Sequence, residues 1–152
     1  MPDLHGLEIK EVVAMSSPVV LITGALTGIG RAAAIIFAQE GAHIVVSGRR
    51  DKQGQELVAE LQGLGAEAIF VRTDVRNDDD VRNLVDQTVK RFGRLDIAVN
   101  NAGTEGLRGL VTDQTAESYA ATFDSNVLGV LLSMNHELRR DAATGVWLFQ
   151  QF

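Results

Sequence analysis

The chain has 152 residues, of which 45% are hydrophobic and 22% charged, a composition that is typical of one globular domain and excludes collagen-like or Pro-rich disordered chains. Its net charge of −6 argues against a nucleic-acid partner, because neutralising phosphates takes a surplus of Lys and Arg. The chain has no cysteine, which excludes disulfides and thiolate metal sites. No apolar stretch reaches the roughly 18 residues of a membrane span. We therefore expect a cytoplasmic protein without metal or membrane contact.

The first half of the chain alternates short apolar runs with longer helical patterns. Residues 18–23, 43–48 and 67–72 are apolar or β-branched runs and predict strands. Helical spacing follows from Ile29 to Glu40, and a second helix is predicted to begin with Asp51 as its cap. The predicted buried faces are Ala32, Ala33, Ile36 and Phe37 in the first helix, and Leu57, Val58, Leu61 and Leu64 in the second.

The second half continues the alternation. Asn77, followed by three aspartates, predicts a helix start, because carboxylates are favourable at the positive end of the helix dipole. This helix ends at Gly93, a strand is predicted at residues 95–100, and a long helix spans about residues 115–140.

This order of elements predicts an α/β fold. Nearly continuous apolar strands that alternate with helices indicate a parallel sheet covered on both faces, so we expect a doubly wound, Rossmann-like sheet in three α/β/α layers. We assign residues 18–140 to this domain, residues 1–17 to an amino-terminal extension and residues 141–152 to an atypical tail.

The stretch TGALTGIG at residues 23–30 follows the first strand and opens the first helix. Gly24 would allow a tight turn, Gly28 would let the backbone approach a pyrophosphate, and Gly30 would let the helix pack closely on the sheet. The free N–H groups of the helix start favour an anion. The alternative is a glycine-rich turn that binds nothing, whereas a P-loop is excluded because no Lys-Ser/Thr pair follows.

The end of the second strand reads SGRRD. Gly48 stands where an NAD site usually offers an acid, and Arg49 and Arg50 follow it. Two arginines at a strand end are often only a solvated face, but beside a phosphate loop they favour NADP(H) over NAD(H).

Two further strand ends carry polar residues. Asp74 follows the third strand, where a carboxylate can accept a hydrogen bond from an adenine amino group; a helix-preceding turn residue is an equal alternative. NNAG at residues 100–103 follows the fourth strand, and its small residues would let the backbone lie close to a ribose, although the tetrapeptide alone fits any turn.

Taken together, TGALTGIG, GRR, the DV of residues 74–75, NNAG and FDSNVLGV closely resemble the short-chain dehydrogenase/reductase family from about Pro18 to Arg140. The resemblance implies hydride transfer between NADP(H) and an alcohol or carbonyl, and an active-site role for Asn126. It assigns cofactor contacts to Gly24, Leu26, Thr27, Gly28, Ile29, Gly30, Ser47, Arg49, Arg50, Asp74, Val75, Asn101, Ala102 and Gly103.

The chain departs from the family in its catalytic residues. The family uses a tyrosine with a lysine four residues later, but the only tyrosine here, Tyr119, has Phe123 at that position, and we interpret it as a packing residue. The lysines all precede it, and the expected serine region reads DAATGVWLFQQF. We therefore expect binding without turnover, and the alternatives are a non-catalytic dinucleotide-binding module or a frameshifted fragment.

Further expectations concern the residues before Met15 and the carboxyl-terminal tail. Met15 is a candidate alternative start, so the leader before it is expected to add nothing to the site. A frameshift near codons 139–143 is a hypothesis for the origin of the tail. We expect residues 146–149 to pair beside the fourth strand, and we expect self-association through this end of the chain.

Overall fold

The computed structural model describes residues 17–140 and 147–150. Residues 1–16, with the Met15 start, and residues 141–146 and 151–152 of the tail lie outside the described part. The strands are β1 Val19–Thr23, β2 His43–Gly48, β3 Ala68–Arg72, β4 Ile97–Asn100 and β5 Trp147–Gln150. The α-helices are α1 Gly28–Gln39, α2 Asp51–Gly63, α3 Asp78–Phe92, α4 Ala116–Phe123 and α5 Gly129–Arg140.

The five strands form one parallel sheet in the order β3-β2-β1-β4-β5. The predicted doubly wound α/β fold is confirmed. Because β1 pairs with β2 on one side and β4 on the other, the strand order reverses beside it, and a crevice forms there at the carboxyl ends of the strands. β5 pairs with β4 from Trp147 opposite Ile97 to Gln150 opposite Asn100. The predicted pairing is therefore confirmed for residues 147–149, whereas residue 146 lies outside the described part.

Alternation along the strands sends side chains to two separate cores. Val20 and Ile22 of β1 pack under α1 and α2, whereas Leu21 faces α3. Leu57, Val58 and Leu61 of α2 are buried as predicted, but Leu64 lies just beyond the end of the helix and is exposed. Asp51 is the first residue of α2 rather than its cap: Arg50 holds the cap position and makes no side-chain cap bond.

The predicted packing face of α1 is confirmed only in part, because Ala33 and Phe37 pack against the core whereas Ala32 and Ile36 are exposed. Gly30, Ala34 and Ala38 face the core, and Ile36 is 59% exposed. The helix is apolar on several faces, so its periodicity did not single one out. Close approach to the sheet selected the face with the smallest side chains.

The other helices largely follow the sequence pattern. Asn77 caps α3 by accepting from the N–H of Asp80 at 3.1 Å, and Gly93 ends the helix in the left-handed region at φ 78°, both as predicted. The long predicted helix is confirmed as α4 and α5, but a π-helical turn at Asp124–Leu128 joins them. None of the helices in the described ranges is long and apolar enough to cross a membrane.

Candidate functional site

An open groove of about 490 Å³ lies over the carboxyl ends of β1, β2, β3 and β4. Twelve of the predicted site residues line it: Gly24, Leu26, Thr27, Gly28, Ile29, Arg49, Arg50, Asp74, Val75, Asn101, Ala102 and Gly103. Three predicted residues do not line it, namely Gly30, Ser47 and Asn126. Four other residues line the groove but were not among the predicted contacts, namely Gly48, Thr73, Thr104 and Ser125. Each of these four directly adjoins an assigned residue, which is the signal that would have found them.

The three glycines of the loop after β1 serve different needs. Gly24 has φ +63°, and a Cβ there would lie 2.7 Å from the Cα of Ala102. Gly28 has φ +56° and open space above it, so its backbone is accessible to a ligand. A Cβ on Gly30 would lie 2.5 Å from the Nδ2 of Asn101, so this glycine permits close packing beneath the groove. The positive φ of Gly24 and the close packing of Gly30 are as expected for the motif, whereas the approach of a pyrophosphate to Gly28 stays a prediction.

The backbone N–H groups at the amino terminus of α1 have neither a side-chain cap nor a nearby acid. Thr27 at its cap position makes no side-chain cap bond, and the first turn contains no acid. In contrast, α3 has both a capping Asn77 and three aspartates in its first turn. Because the first N–H groups of a helix have no partners within it, the start of α1 is available to an anion.

Two arginines form the wall of the groove at the end of β2. Arg49 and Arg50 are exposed, and neither guanidinium donates a hydrogen bond or forms an ion pair with any residue in the described ranges. A Cβ on Gly48 would lie 2.7 Å from Leu26, so the Leu26 side chain occupies the space where an acidic side chain at position 48 would begin. The wall is therefore positively charged and lacks a carboxylate at this point.

Asp74 is held by a neighbouring arginine. Arg76 donates from Nε to Oδ1 at 2.9 Å and from Nη2 to Oδ2 at 2.6 Å. These hydrogen bonds hold the pKa of the Asp74 carboxyl below its usual value, and the charges of Arg76 and Arg49 act in the same direction against burial. Asp74 is thus an ionised acceptor at neutral pH, and its carboxylate retains lone pairs for a ligand donor.

The loop after β4 is tied to the glycine loop through Thr23. The Oγ1 of Thr23 accepts from the backbone N–H groups of Asn101 and Ala102, each at 3.1 Å. The Nδ2 of Asn101 donates to the carbonyls of Thr23 at 3.1 Å and Gly24 at 3.0 Å. Ser47 lies beside Thr23 in the sheet on the face that points to α3, and it is buried beneath the groove rather than open to it.

Asn126 lies in the π-helical turn and clamps the same loop. Its Oδ1 accepts from the N–H of Thr104 and its Nδ2 donates to the carbonyl of Thr104, both at 2.8 Å. π-Helical turns occur frequently at functional sites. The amide of Asn126 thus fixes the end of the groove formed by the loop after β4.

Tyr119 is not buried in the core as a packing residue. It is 59% exposed and stacks on Phe123 with ring centroids 4.2 Å apart. Lys52 lies on α2 and Lys90 on α3, so neither follows Tyr119 on its own helix. Among the described residues, no group of three or more His, Cys, Asp or Glu side chains is placed to hold a metal ion.

The chain is similar to known proteins in both sequence and fold. The sequence model of the short chain dehydrogenase family matches residues 18–145. The chain is 36% identical over 121 residues to the 3beta-hydroxysteroid dehydrogenase of Mediterraneibacter gnavus, a match that covers 80% of this chain and 44% of that protein.

Two solved structures have the same fold. A short chain dehydrogenase/reductase from Burkholderia phymatum in complex with NAD is 31% identical, with a TM-score of 0.82, and the match covers 89% of this chain and 48% of that one. An alcohol dehydrogenase from Thermococcus sibiricus complexed with 5-hydroxy-NADP is 28% identical, with a TM-score of 0.83 and coverages of 88% and 57%. The chain thus spans about half the length of these relatives.

Proposed function

Because this chain belongs to the short-chain dehydrogenase family, we propose that its groove binds NADP(H) as the dinucleotide portion of an oxidoreductase that acts on an alcohol or carbonyl. The observation that carries the proposal is the set of unpaired donors around the groove. The start of α1 offers free N–H groups, and Arg49 and Arg50 offer guanidinium groups that have no hydrogen-bond or ion-pair partner among the described residues.

The residues present fit a dinucleotide that carries a 2′-phosphate. The open backbone at Gly28 and the start of α1 would hold the pyrophosphate, and the two arginines would hold the 2′-phosphate. Asp74 and Val75 would face the adenine, and the loop of residues 101–103 would line the ribose side. The bound dinucleotide would supply the hydride-carrying nicotinamide, and the chain would supply its binding and orientation.

For this chain by itself, we propose binding without turnover. The family's tyrosine–lysine pair is absent from the sequence, and the single tyrosine is exposed and stacked on Phe123. In the proposed function, Asn126 acts near the reacting end of the groove through the loop that it clamps. The absence of the tyrosine–lysine pair favours a non-catalytic dinucleotide-binding module as the second candidate function. The lack of cysteine is compatible with a cytoplasmic location.

We predict that the chain binds NADPH more tightly than NADH and oxidises neither with carbonyl substrates. A charge-assisted bond to a phosphate contributes about 1.5–3 kcal/mol, and NADH lacks the group that the arginines would bind. Calorimetric titration of both dinucleotides measures the preference, and loss of NADPH absorbance with a carbonyl panel measures turnover. Equal affinities, or tighter NADH binding, contradict the cofactor assignment. Turnover that Asn126→Ala abolishes contradicts the inactivity of the chain.

We also propose that the chain associates with a second copy of itself. Tyr119, Phe123, Val127 and Leu131 are all exposed, and their spacing of four residues places them along one stripe of α4, the π-helical turn and α5. An exposed apolar stripe of this kind is typical of an interaction surface. The edge of β4 does not contribute to this surface, because β5 pairs with that edge.

Sedimentation velocity tests this association over a concentration series. We expect the sedimentation coefficient to rise with concentration, and we expect Leu131→Glu to keep the chain monomeric, because Leu131 is 61% exposed within the stripe. Leu64→Glu is the matched control, since Leu64 is also exposed but follows α2. A wild-type chain that stays monomeric at high concentration contradicts the proposal.

A further inference from the structure

A buried carboxylic acid lies behind the groove. Glu137 on α5 is 1% exposed and accepts from the Nδ2 of Asn100 at 3.0 Å, and Asn100, the last residue of β4, is 2% exposed. Glu137 lies in the last turns of α5, where an acid has no favourable interaction with the helix dipole. Neither the fold pattern nor the proposed cofactor contacts account for an acid at this position.

The surroundings of Glu137 favour its neutral form. Burial raises the pKa of Glu137 to about 7, although the hydrogen bond from Asn100 acts in the opposite direction. Glu137 forms no ion pair with any described residue, and β4 contributes no charged side chain. The charged side chains on α5, on the turn before it and on the facing stripe of α3 are paired with one another or exposed: His136 with Asp78, Arg140 with Asp86, Arg82 with Asp79, Asp124 near Arg76, and Arg139 exposed.

An orphaned atom supports the same protonation state. The Oδ1 of Asn100 is buried and has no hydrogen-bond partner among the described residues. A buried acceptor without a donor is costly, and an ionised carboxylate has no proton to donate. A neutral Glu137 has one O–H, which can donate to the Oδ1 of Asn100 while the Nδ2 of Asn100 donates back. The neutral acid therefore satisfies the asparagine, and the carboxylate does not.

Asn100 connects this pair to the groove. It pairs in the sheet with Thr23, whose hydroxyl accepts from the N–H groups of Asn101 and Ala102. Asn101, Ala102, Gly103 and Thr104 follow Asn100 directly and line the groove. A displacement of Asn100 therefore moves the start of this loop.

We propose that Glu137 is a positioning residue that acts as a neutral acid: it holds Asn100 through a paired acid–amide contact and thereby orients the loop of residues 101–104 for dinucleotide binding. Loss of its proton leaves an unpaired negative charge in the interior, which must find water or other donors and so disturbs the contact. This inference rests on the proposed function of the groove.

The test compares Glu137→Gln and Glu137→Leu with the wild-type chain. The dissociation constant of the wild-type chain for NADPH is expected to rise by up to about 30-fold from about pH 6 to about pH 8.5. This factor applies if only the chain with neutral Glu137 binds and the pKa of Glu137 is about 7. Glutamine can both donate and accept, so Glu137→Gln should bind tightly at both values. Glu137→Leu removes the contact and should bind weakly at both.

The ratio of wild-type to Glu137→Gln dissociation constants isolates the contribution of Glu137, because titration of the 2′-phosphate and every other change with pH are common to both proteins. Glu117→Gln, which changes an exposed acid on α4, is the matched control and should keep the wild-type profile. A Glu137→Gln profile as steep as wild type, or wild-type affinity in Glu137→Leu at both pH values, overturns the proposal.

A second measurement needs no dinucleotide. In NMR spectra of the free chain, the side-chain amide of Asn100 and the backbone amides of Asn101 and Ala102 should shift together with a midpoint near neutrality, and Glu137→Gln should abolish the shift. Amides that do not titrate in the wild type overturn the positioning role. If they titrate but no protein binds dinucleotide at any pH, the proposed function fails while the Glu137 contact stands.

Discussion

Replacing Arg49 and Arg50 together with alanine is expected to weaken NADPH binding by about 100-fold. A hydrogen bond from a charged group contributes about 1.5–3 kcal/mol, and we take the lower value for each arginine because both are exposed. Both guanidinium groups lie at the groove without a hydrogen-bond or ion-pair partner among the described residues, so no existing ion pair has to break before they bind a phosphate. NADH lacks the 2′-phosphate, and its affinity should change by less than about threefold, as expected for a surface charge. Isothermal titration calorimetry with both dinucleotides measures the two changes.

The matched control for this double variant is Arg82→Ala. Arg82 is an exposed arginine on α3 that pairs with Asp79 and lies outside the groove, so its loss removes a positive charge without removing a proposed phosphate contact. We expect Arg82→Ala to bind both dinucleotides as the wild type does. An equal loss of NADPH and NADH affinity in the double variant would show that the arginines act through general charge or folding rather than through the 2′-phosphate.

Adding one methyl group at Gly30 is expected to damage both stability and binding. The Cβ of Gly30→Ala would lie 2.5 Å from the Nδ2 of Asn101, 2.6 Å from the carbonyl oxygen of Gly24 and 3.0 Å from the Cα of Ala25. Two of these neighbours are backbone atoms, so the glycine loop itself must shift. We expect the free energy of unfolding to fall by about 1–3 kcal/mol, the usual cost of overpacking.

Because Gly24 and Asn101 both line the groove, the same shift is expected to weaken NADPH binding at least about tenfold, which corresponds to 1.4 kcal/mol of lost contacts. Urea denaturation measures the stability change, and calorimetry on the folded variant measures the affinity.

Gly63→Ala is the control for this substitution. Gly63 is also a helical glycine, at the end of α2, but a Cβ there would meet nothing within 4 Å. Alanine is the better helix former, so we expect this variant to gain up to about 1 kcal/mol of stability and to bind NADPH normally. A Gly30→Ala protein as stable as Gly63→Ala would refute the close packing of α1 on the glycine loop.

Local chemistry made much of the fold predictable from the sequence. The strand at residues 43–48 was predicted with its observed bounds, because a β-branched run between a glycine turn and charged residues has one favourable conformation. The start of α3 was predictable because Asn77 and the aspartates satisfy the helix terminus within a few residues. The glycine loop and the arginines could be placed at one groove because the carboxyl ends of parallel strands share one edge.

Other features depend on which elements meet in space, which the sequence alone does not specify. Periodicity could not choose the buried face of α1, because the choice depends on how closely Gly30 approaches Asn101 across more than 70 residues of chain. Ser47 looked like a groove residue, but the pleat of β2 turns it toward α3. The sequence pattern does not single out Glu137 within the predicted helix of residues 115–140. Only the packing of α5 behind β4 removes its carboxyl group from water and places it against Asn100, and burial of a charge is decided by tertiary contacts rather than by local sequence.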